Sequence, residues 1–278
     1  MRKHLLAASC LVGAFAAIAA TSVAQEREDA PSNKRHYTHV LLISVDGLHA
    51  VNLTRWIADP AHASVALATL APHATIYSHA YTTAPSDSFP GMIAQVTGGT
   101  PLSAGVFYDD SYDRTLFAPG SDCQGPPGAE VQFAENIDKN KNALDAGGTV
   151  GQPLTQIDPA QLPLSNASGT CKPVFPHEFI RVNTLFEVVR AAGGYTAWFD
   201  KHPAYDILNG PSGAGIDDLY TPEINSLIPI AGNTTDDNTK SFTATRNYDE
   251  VKVQTILHEI DGSTAPARAQ RRCRTCSA

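Results

Sequence analysis

An uninterrupted apolar segment near the amino-terminal end constrains the fold of this chain more than any other feature. Residues 39–45 read HVLLISV and are followed directly by Asp46 and Gly47. The segment does not alternate between apolar and polar residues and is rich in β-branched side chains, which is typical of a strand buried on both faces of a parallel sheet. We therefore expect a strand at 39–45 with Asp46 at its carboxyl end.

Further strands and helices are predicted along the chain. Helices are expected at 65–70, 90–97, 183–192 and 248–260, and strands at 74–80 and 195–199. The apolar face of the helix at 183–192 consists of Leu185, Val188, Val189 and Ala192. This alternation of strands and helices indicates an α/β sandwich with a mainly parallel sheet.

Residues 103–175 differ from the rest of the chain because they are rich in Gly, Pro, Asn and Asp and have little periodicity. A segment of that length is seldom plain loop in a compact domain, so we interpret it as an insertion over the functional site. Cys123 and Cys171 lie in this insertion, and we expect them to form a disulfide in an oxidising compartment. Cys273 and Cys276 form a C-x-x-C near the end, where no helical or βαβ pattern supports a redox role.

The first 24 residues have the pattern of a secretory signal peptide. A short basic stretch precedes a small-residue apolar segment, and Ser22-Val23-Ala24 before Gln25 suits cleavage. A membrane anchor is the alternative, but the segment is rich in Ala and only moderately hydrophobic. We expect a polar leader at 25–36 and a periplasmic or secreted protein that does not stay in the membrane after cleavage.

The charge balance limits the classes of partner. The formal net charge is −8, which argues against a nucleic-acid-binding face. It does not argue against small phosphorylated substrates, because a bound metal ion can reverse the local field.

Reactive side chains are predicted to meet at one edge of the sheet. Ligands of open α/β sheets bind outside the carboxyl ends of the strands. Asp46 and Asp200 each follow a predicted strand, and Ser88 lies just before a predicted helix. Each also has an alternative role: Asp46 as a turn residue, Ser88 as a helix N-cap, and Asp200, Lys201 and His202 as a polar loop rather than substrate contacts.

Two motifs in order carry a resemblance to a known family. Val45-Asp46-Gly47 is followed about forty residues later by Ser88-Phe89-Pro90 and then by a Thr-Gly-x-x-Pro segment that starts at Thr97. This pattern resembles the type I phosphodiesterase/nucleotide pyrophosphatase family of the alkaline phosphatase superfamily. The segment 184–200 also resembles the helix-strand pair of that family.

The resemblance implies an exported metal-dependent phosphoesterase with an alkaline-phosphatase-like three-layer sandwich. It makes Asp46 the metal ligand after the first strand, and Ser88 both the nucleophile and a metal ligand. It further implies a divalent metal site, with two zinc ions in the complete family, and a small phosphoester or nucleotide substrate.

The remaining metal ligands of the family are not encoded here. The chain contains no Asp-x-x-x-His and no Asp-His dipeptide, and residues 263–278 have four arginines and no large apolar side chain. We therefore expect a partial domain at 37–262, an atypical disordered tail at 263–278, and a truncated product that is weakly active or inactive.

Two alternative functions are considered. A sulfatase of the same superfamily has Cys or Ser followed by x-Pro-x-Arg, but here Met92 stands at the position of the Arg. A non-catalytic exported protein that binds a partner through the insertion is the other alternative.

Overall fold

The computed structural model describes residues 37–59, 65–149, 151–227 and 238–264. The chain divides into two compact units, Met1–Ile76 and Tyr77–Ala278. The predicted signal peptide at 1–24, the leader at 25–36 and the two tail cysteines lie outside the described residues. Within the described ranges, no helix is long and apolar enough to cross a membrane.

The first unit contains short helices. Helix α1 spans Ala50–Ala58, helix α2 spans Val65–Leu70, and a 3-10 turn follows at Ala71–His73. The helix predicted at 65–70 is therefore confirmed. None of the described residues of this unit is buried, so these residues form no core among themselves.

The strand predicted at 39–45 is not formed. Val40 is 89% exposed and Ile43 is 68% exposed, and no described strand pairs with this segment. The prediction at 74–80 was wrong as well, because irregular backbone and a turn at 78–79 lie there. A strand needs neighbouring strands for its backbone N–H and C=O groups, and an apolar pattern does not show whether such neighbours exist.

The second unit carries the remaining elements. Its helices are α3 (Ser88–Thr97), α4 (Pro101–Ala104), α5 (Pro153–Gln156), α6 (Leu185–Ala191) and α7 (Phe242–Ile260). Its strands are β1 (Asp110–Asp113), β2 (Ala129–Gln132), β3 (Leu164–Ser165), β4 (Lys172–Pro173), β5 (Ala197–Phe199) and β6 (Asp218–Tyr220). Four 3-10 helices lie among them in the described chain, at Glu135–Ile137, Pro159–Gln161, Pro176–Phe179 and Pro203–Asn209.

The strands form three separate pairs. Strands β1 and β2 are antiparallel with Asp110 opposite Gln132, and β3 and β4 are also antiparallel. Strands β5 and β6 are parallel, with Trp198 opposite Leu219. The described residues thus form a mixed α/β fold without a closed barrel, in which β5 and β6 alone show the predicted parallel pairing.

The core of the second unit is built around helix α3. Phe89, Ile93 and Val96 lie on one side of this helix and are at most 2% exposed. The Phe89 ring stacks on Tyr205 at 4.6 Å and contacts Phe133 at 5.1 Å between ring centroids. Because these partners come from distant parts of the chain, the packing fixes where the helix begins, and so where Ser88 lies.

Helix α6 was predicted correctly in position but not in orientation. Its capping box joins Thr184 to Glu187, which explains why the helix starts at Leu185. Phe186 is the residue of this helix that enters the core, where it packs edge-on against Trp198. The predicted face is turned outward, and Val188 is 55% exposed.

The insertion at 103–175 is held by the predicted disulfide. Cys123 and Cys171 are bonded, with 5.8 Å between their Cα atoms. The segment is not plain loop, since it carries β1–β4 and α5. Val131 and Ile157 from this segment are buried in the core of the second unit.

Candidate functional site

Ser88 is the first residue of helix α3, and Asp87 caps that helix. One carboxylate oxygen of Asp87 accepts the backbone N–H of Ser88 at 2.8 Å, and the other accepts the backbone N–H of Asp109 at 3.0 Å. The alternative that Ser88 is the N-cap is therefore wrong. Within the described part of the chain, the Ser88 hydroxyl has no hydrogen-bond partner, so capping does not occupy its oxygen.

Asp87 and Asp109 form a carboxyl pair beside Ser88. Burial acts to raise the pKa of Asp87, but hydrogen bonds from the Asp109 and Ser88 backbones, a hydrogen bond with the Asp109 side chain and the Lys201 charge hold it below its usual value. Burial raises the pKa of Asp109, and the hydrogen bond and negative charge of Asp87 raise it further. As the pH falls, Asp109 therefore takes up a proton before Asp87 does.

Asp200 follows strand β5, as predicted, and its side chain is directed into the protein. Its carboxylate accepts hydrogen bonds from the Trp198 indole at 2.9 Å and from the Lys201 backbone at 2.8 Å. Burial raises the pKa of Asp200, although these two hydrogen bonds and the charges of Lys252 and Lys201 act in the opposite direction. Asp200 therefore orders the start of the 200–202 loop.

His202 is fixed by a buried carboxylate. Its Nδ1 lies 2.8 Å and 3.0 Å from the two carboxylate oxygens of Glu223, which has no exposed surface. The His202 ring stacks on Tyr205 at 6.4 Å between centroids, and Tyr205 stacks in turn on Phe89. An aromatic stack thus connects the loop after β5 to the residue that follows Ser88.

The structure brings the 200–202 loop towards the start of α3. His202 stacks on Tyr205, which stacks in turn on Phe89, the residue after Ser88. Asp46 belongs to the first unit, where it is exposed and forms a turn with Gly47. The positive φ of 68° at Gly47 explains why glycine follows Asp46 at that turn.

Sequence reasoning missed four residues of this neighbourhood. The role of Asp87 could have been predicted from the sequence, because Asp directly before a helix is a preferred N-cap. Asp109, Tyr205 and Glu223 carried none, since each reaches the site through a tertiary contact made far along the chain.

A second carboxylate–histidine pair stabilises the segment after the 200–202 loop. His177 Nδ1 lies 2.6 Å from Asp206 Oδ2, and the Asn209 amide donates to the other Asp206 oxygen at 2.9 Å. Asp206 has no exposed surface. The pair joins the 3-10 helices Pro176–Phe179 and Pro203–Asn209.

This pair should make stability depend on pH. Burial acts to lower the pKa of His177, but the hydrogen bond and charge of Asp206, with the charge of Glu178, leave it above the ordinary 6.5. The stabilisation is therefore fully present below about pH 6.5 and is lost as the pH rises through the higher folded-state pKa. We expect His177→Gln to cost about 2 kcal/mol at pH 6 and less at pH 9.

Urea unfolding at both pH values measures this difference. The exposed His79 provides the matched control, because His79→Gln should leave the pH dependence of the wild type in place. An unfolding free energy of His177→Gln that stays equally far below the wild type at both pH values would contradict the expected role of the imidazolium.

The described residues do not supply a complete metal centre. Nowhere in them does a group of three or more His, Cys, Asp or Glu side chains lie together in a way that could hold a metal ion. We therefore derive no reaction step through a metal.

Comparison with known proteins assigns the family. The family model for type I phosphodiesterase / nucleotide pyrophosphatase matches residues 40–200, which is more than half of the 278 residues. No curated protein and no solved structure matches the chain significantly. The matched range includes Asp46, Ser88 and Asp200. The chain belongs to the type I phosphodiesterase/nucleotide pyrophosphatase family.

Proposed function

We propose that the protein hydrolyses small phosphoesters or nucleotides with Ser88 as the nucleophile, and that it does so slowly, because the remaining metal ligands of the family are not encoded in this sequence. Membership in a phosphoric ester hydrolase family supports the reaction class. One observation at the start of α3 supports the assignment of Ser88 as the nucleophile. Asp87 provides the helix cap, and the Ser88 hydroxyl has no hydrogen bond to the described residues.

The proposed reaction proceeds in two displacements. Ser88 Oγ attacks phosphorus and its hydroxyl proton passes to solvent. The bond to the leaving ester oxygen breaks, the leaving group takes up a proton from solvent as required, and the phosphoryl group stays on the serine. Water then attacks the phosphoserine and restores the hydroxyl. The packing of Phe89 against Tyr205 and Phe133 supports this role, because a nucleophile has to be held in a fixed position.

Lys201 and His202 are proposed to contact the phosphoryl oxygens of the substrate. The aromatic stack from His202 through Tyr205 to Phe89 supports the proximity of this loop to Ser88, and Asp200 accepts the backbone N–H of Lys201. Glu223 fixes the His202 ring through Nδ1. Cationic or hydrogen-bond-donating side chains on preorganised supports stabilise the charge that develops in phosphoryl transfer.

Hydrolysis of bis(p-nitrophenyl) phosphate by the purified protein tests the proposal. A sulfatase would instead act on p-nitrophenyl sulfate, and a non-catalytic binding protein would act on neither. Release of p-nitrophenol from the sulfate ester alone would overturn the assignment.

The proposal has three further parts. Asp46 and Ser88 bind a metal ion, the complete fold is a sandwich of the alkaline phosphatase type, and the protein is exported. The metal content of purified protein with and without Asp46→Ala tests the role of Asp46, and the expected metal is zinc. Export predicts a mature amino terminus at or near Gln25, which mass spectrometry of exported protein can detect. An intact Met1 in exported protein would contradict it.

A further inference from the structure

We infer that Asp87 is a specificity-determining residue, which disfavours doubly charged phosphate monoesters relative to singly charged diesters at Ser88. The inference rests on the proposed function, because it concerns the charge of the substrate that Ser88 attacks.

The first support is the position of the Asp87 carboxylate. The amino-terminal end of a helix normally attracts phosphate oxygens, because its N–H groups point outward and its dipole is positive there. In α3, a helix of 10 residues, the carboxylate of Asp87 already occupies this position and accepts the Ser88 N–H at 2.8 Å. A phosphoryl group at Ser88 is therefore next to a carboxylate instead of an unoccupied helix end.

The second support is that the carboxylate cannot rotate away. Its other oxygen accepts the Asp109 N–H at 3.0 Å, so the side chain is held at one oxygen by the next residue and at the other by a residue 22 positions along the chain. The Asp87 carbonyl also accepts the N–H of Gly91 at 3.0 Å within the helix. The negative charge is thus fixed beside the nucleophile and is present in each encounter with substrate.

The third support is the strength of the repulsion between two negative charges at short range. One additional negative charge on the substrate, at about 6 Å from Asp87 in a half-exposed site, changes binding by roughly tenfold. The site should therefore accept a monoanion more readily than a dianion.

Helix capping is the competing role for Asp87, and substitutions can separate it from the effect of charge. Asn and Ser are good N-cap residues but are neutral, so Asp87→Asn and Asp87→Ser keep a cap and remove the charge. Asp87→Glu keeps the charge. Glu130 on strand β2 is exposed, and Glu130→Gln is the control that removes a carboxylate elsewhere in the same unit.

The experiment compares two substrates with the same leaving group. Methyl p-nitrophenyl phosphate is a monoanion at pH 8, and p-nitrophenyl phosphate is a dianion. The ratio of their kcat/KM values does not depend on how much of a variant is folded. We expect the monoester-to-diester ratio to rise about tenfold in Asp87→Asn and Asp87→Ser, and to stay at the wild-type value in Asp87→Glu and Glu130→Gln.

Each other outcome overturns the inference. An unchanged ratio in both neutral variants would leave the proposed function standing and remove the role of the charge. Loss of both activities in both neutral variants would show that Asp87 only positions Ser88. Absence of hydrolysis in the wild type, or hydrolysis that survives Ser88→Ala, would overturn the proposed function together with this inference.

Discussion

Replacement of Ser88 by alanine should reduce kcat/KM for bis(p-nitrophenyl) phosphate by about a thousandfold or more, because the reaction then has no nucleophile. The unfolding free energy should change by no more than about 0.5 kcal/mol. The structure explains why activity should fall without a loss of stability, since Asp87 caps α3 and the Ser88 hydroxyl makes no hydrogen bond to the described residues. Steady-state kinetics and urea unfolding of the same preparation measure both quantities.

Two further variants test whether the loss of activity is specific to the hydroxyl of Ser88. Ser86 is exposed and lies two residues before Ser88, so Ser86→Ala should keep the wild-type rate. Ser88→Thr keeps a hydroxyl at the same position and should retain part of the activity. If Ser88→Ala hydrolyses the diester at the wild-type rate while Ser86→Ala does not, the nucleophile has been assigned to the wrong residue.

The sequence predicted those elements whose signals are local. Helix α3 lies where Pro90 and Gly98 indicated, and α6 and β5 lie close to the predicted ranges. Helix α7 starts earlier than predicted, at Phe242, because the Ser241 hydroxyl accepts the N–H of Ala244 and caps it. Caps, turn glycines and helical spacing are properties of a few consecutive residues, which is why a single sequence reveals them.

Features that depend on contacts with distant parts of the chain were predicted wrongly or not predicted at all. The apolar segment 39–45 has the composition of a buried strand, yet in the described residues no strand pairs with it. The orientation of α6 depends on Trp198, which draws Phe186 inward and leaves Val188 outside. Hydrophobic periodicity reports which residues are apolar, but the arrangement of the other elements decides which of them are buried.

In the candidate site, too, residues with a local sequence signal were predicted and residues that act through distant contacts were not. Ser88 was predicted from a motif and the 200–202 loop from its place after a predicted strand, and the aromatic stack of His202, Tyr205 and Phe89 connects the two. Glu223 was not predicted, because its contact with His202 joins positions 21 residues apart and leaves no pattern in the sequence. Side chains that support a site are thus harder to predict than those that a motif names.

Removal of the Cys123–Cys171 disulfide should destabilise the second unit by about 4 kcal/mol, because the bond closes a loop with a sequence separation of 48 residues. In the unfolded chain the bond restricts this loop, so its loss gives the unfolded state more conformational freedom. The Cys123→Ser/Cys171→Ser double variant should therefore unfold at a much lower urea concentration than the oxidised wild type. Reductant should lower the unfolding midpoint of the wild type towards that of the double variant and leave the double variant unchanged.

The effect should extend to the site, because the insertion carries groups that hold the nucleophile. Asp109 lies within the insertion and donates its N–H to the Asp87 carboxylate, and Phe133 from the same segment packs on Phe89. We expect reduction of the disulfide to raise the urea sensitivity of hydrolysis in parallel with unfolding, measured by activity and fluorescence across the same urea series. A double variant whose unfolding free energy lies within about 1 kcal/mol of the wild type would show that the core, including Val131 and Ile157, holds the insertion without the bond.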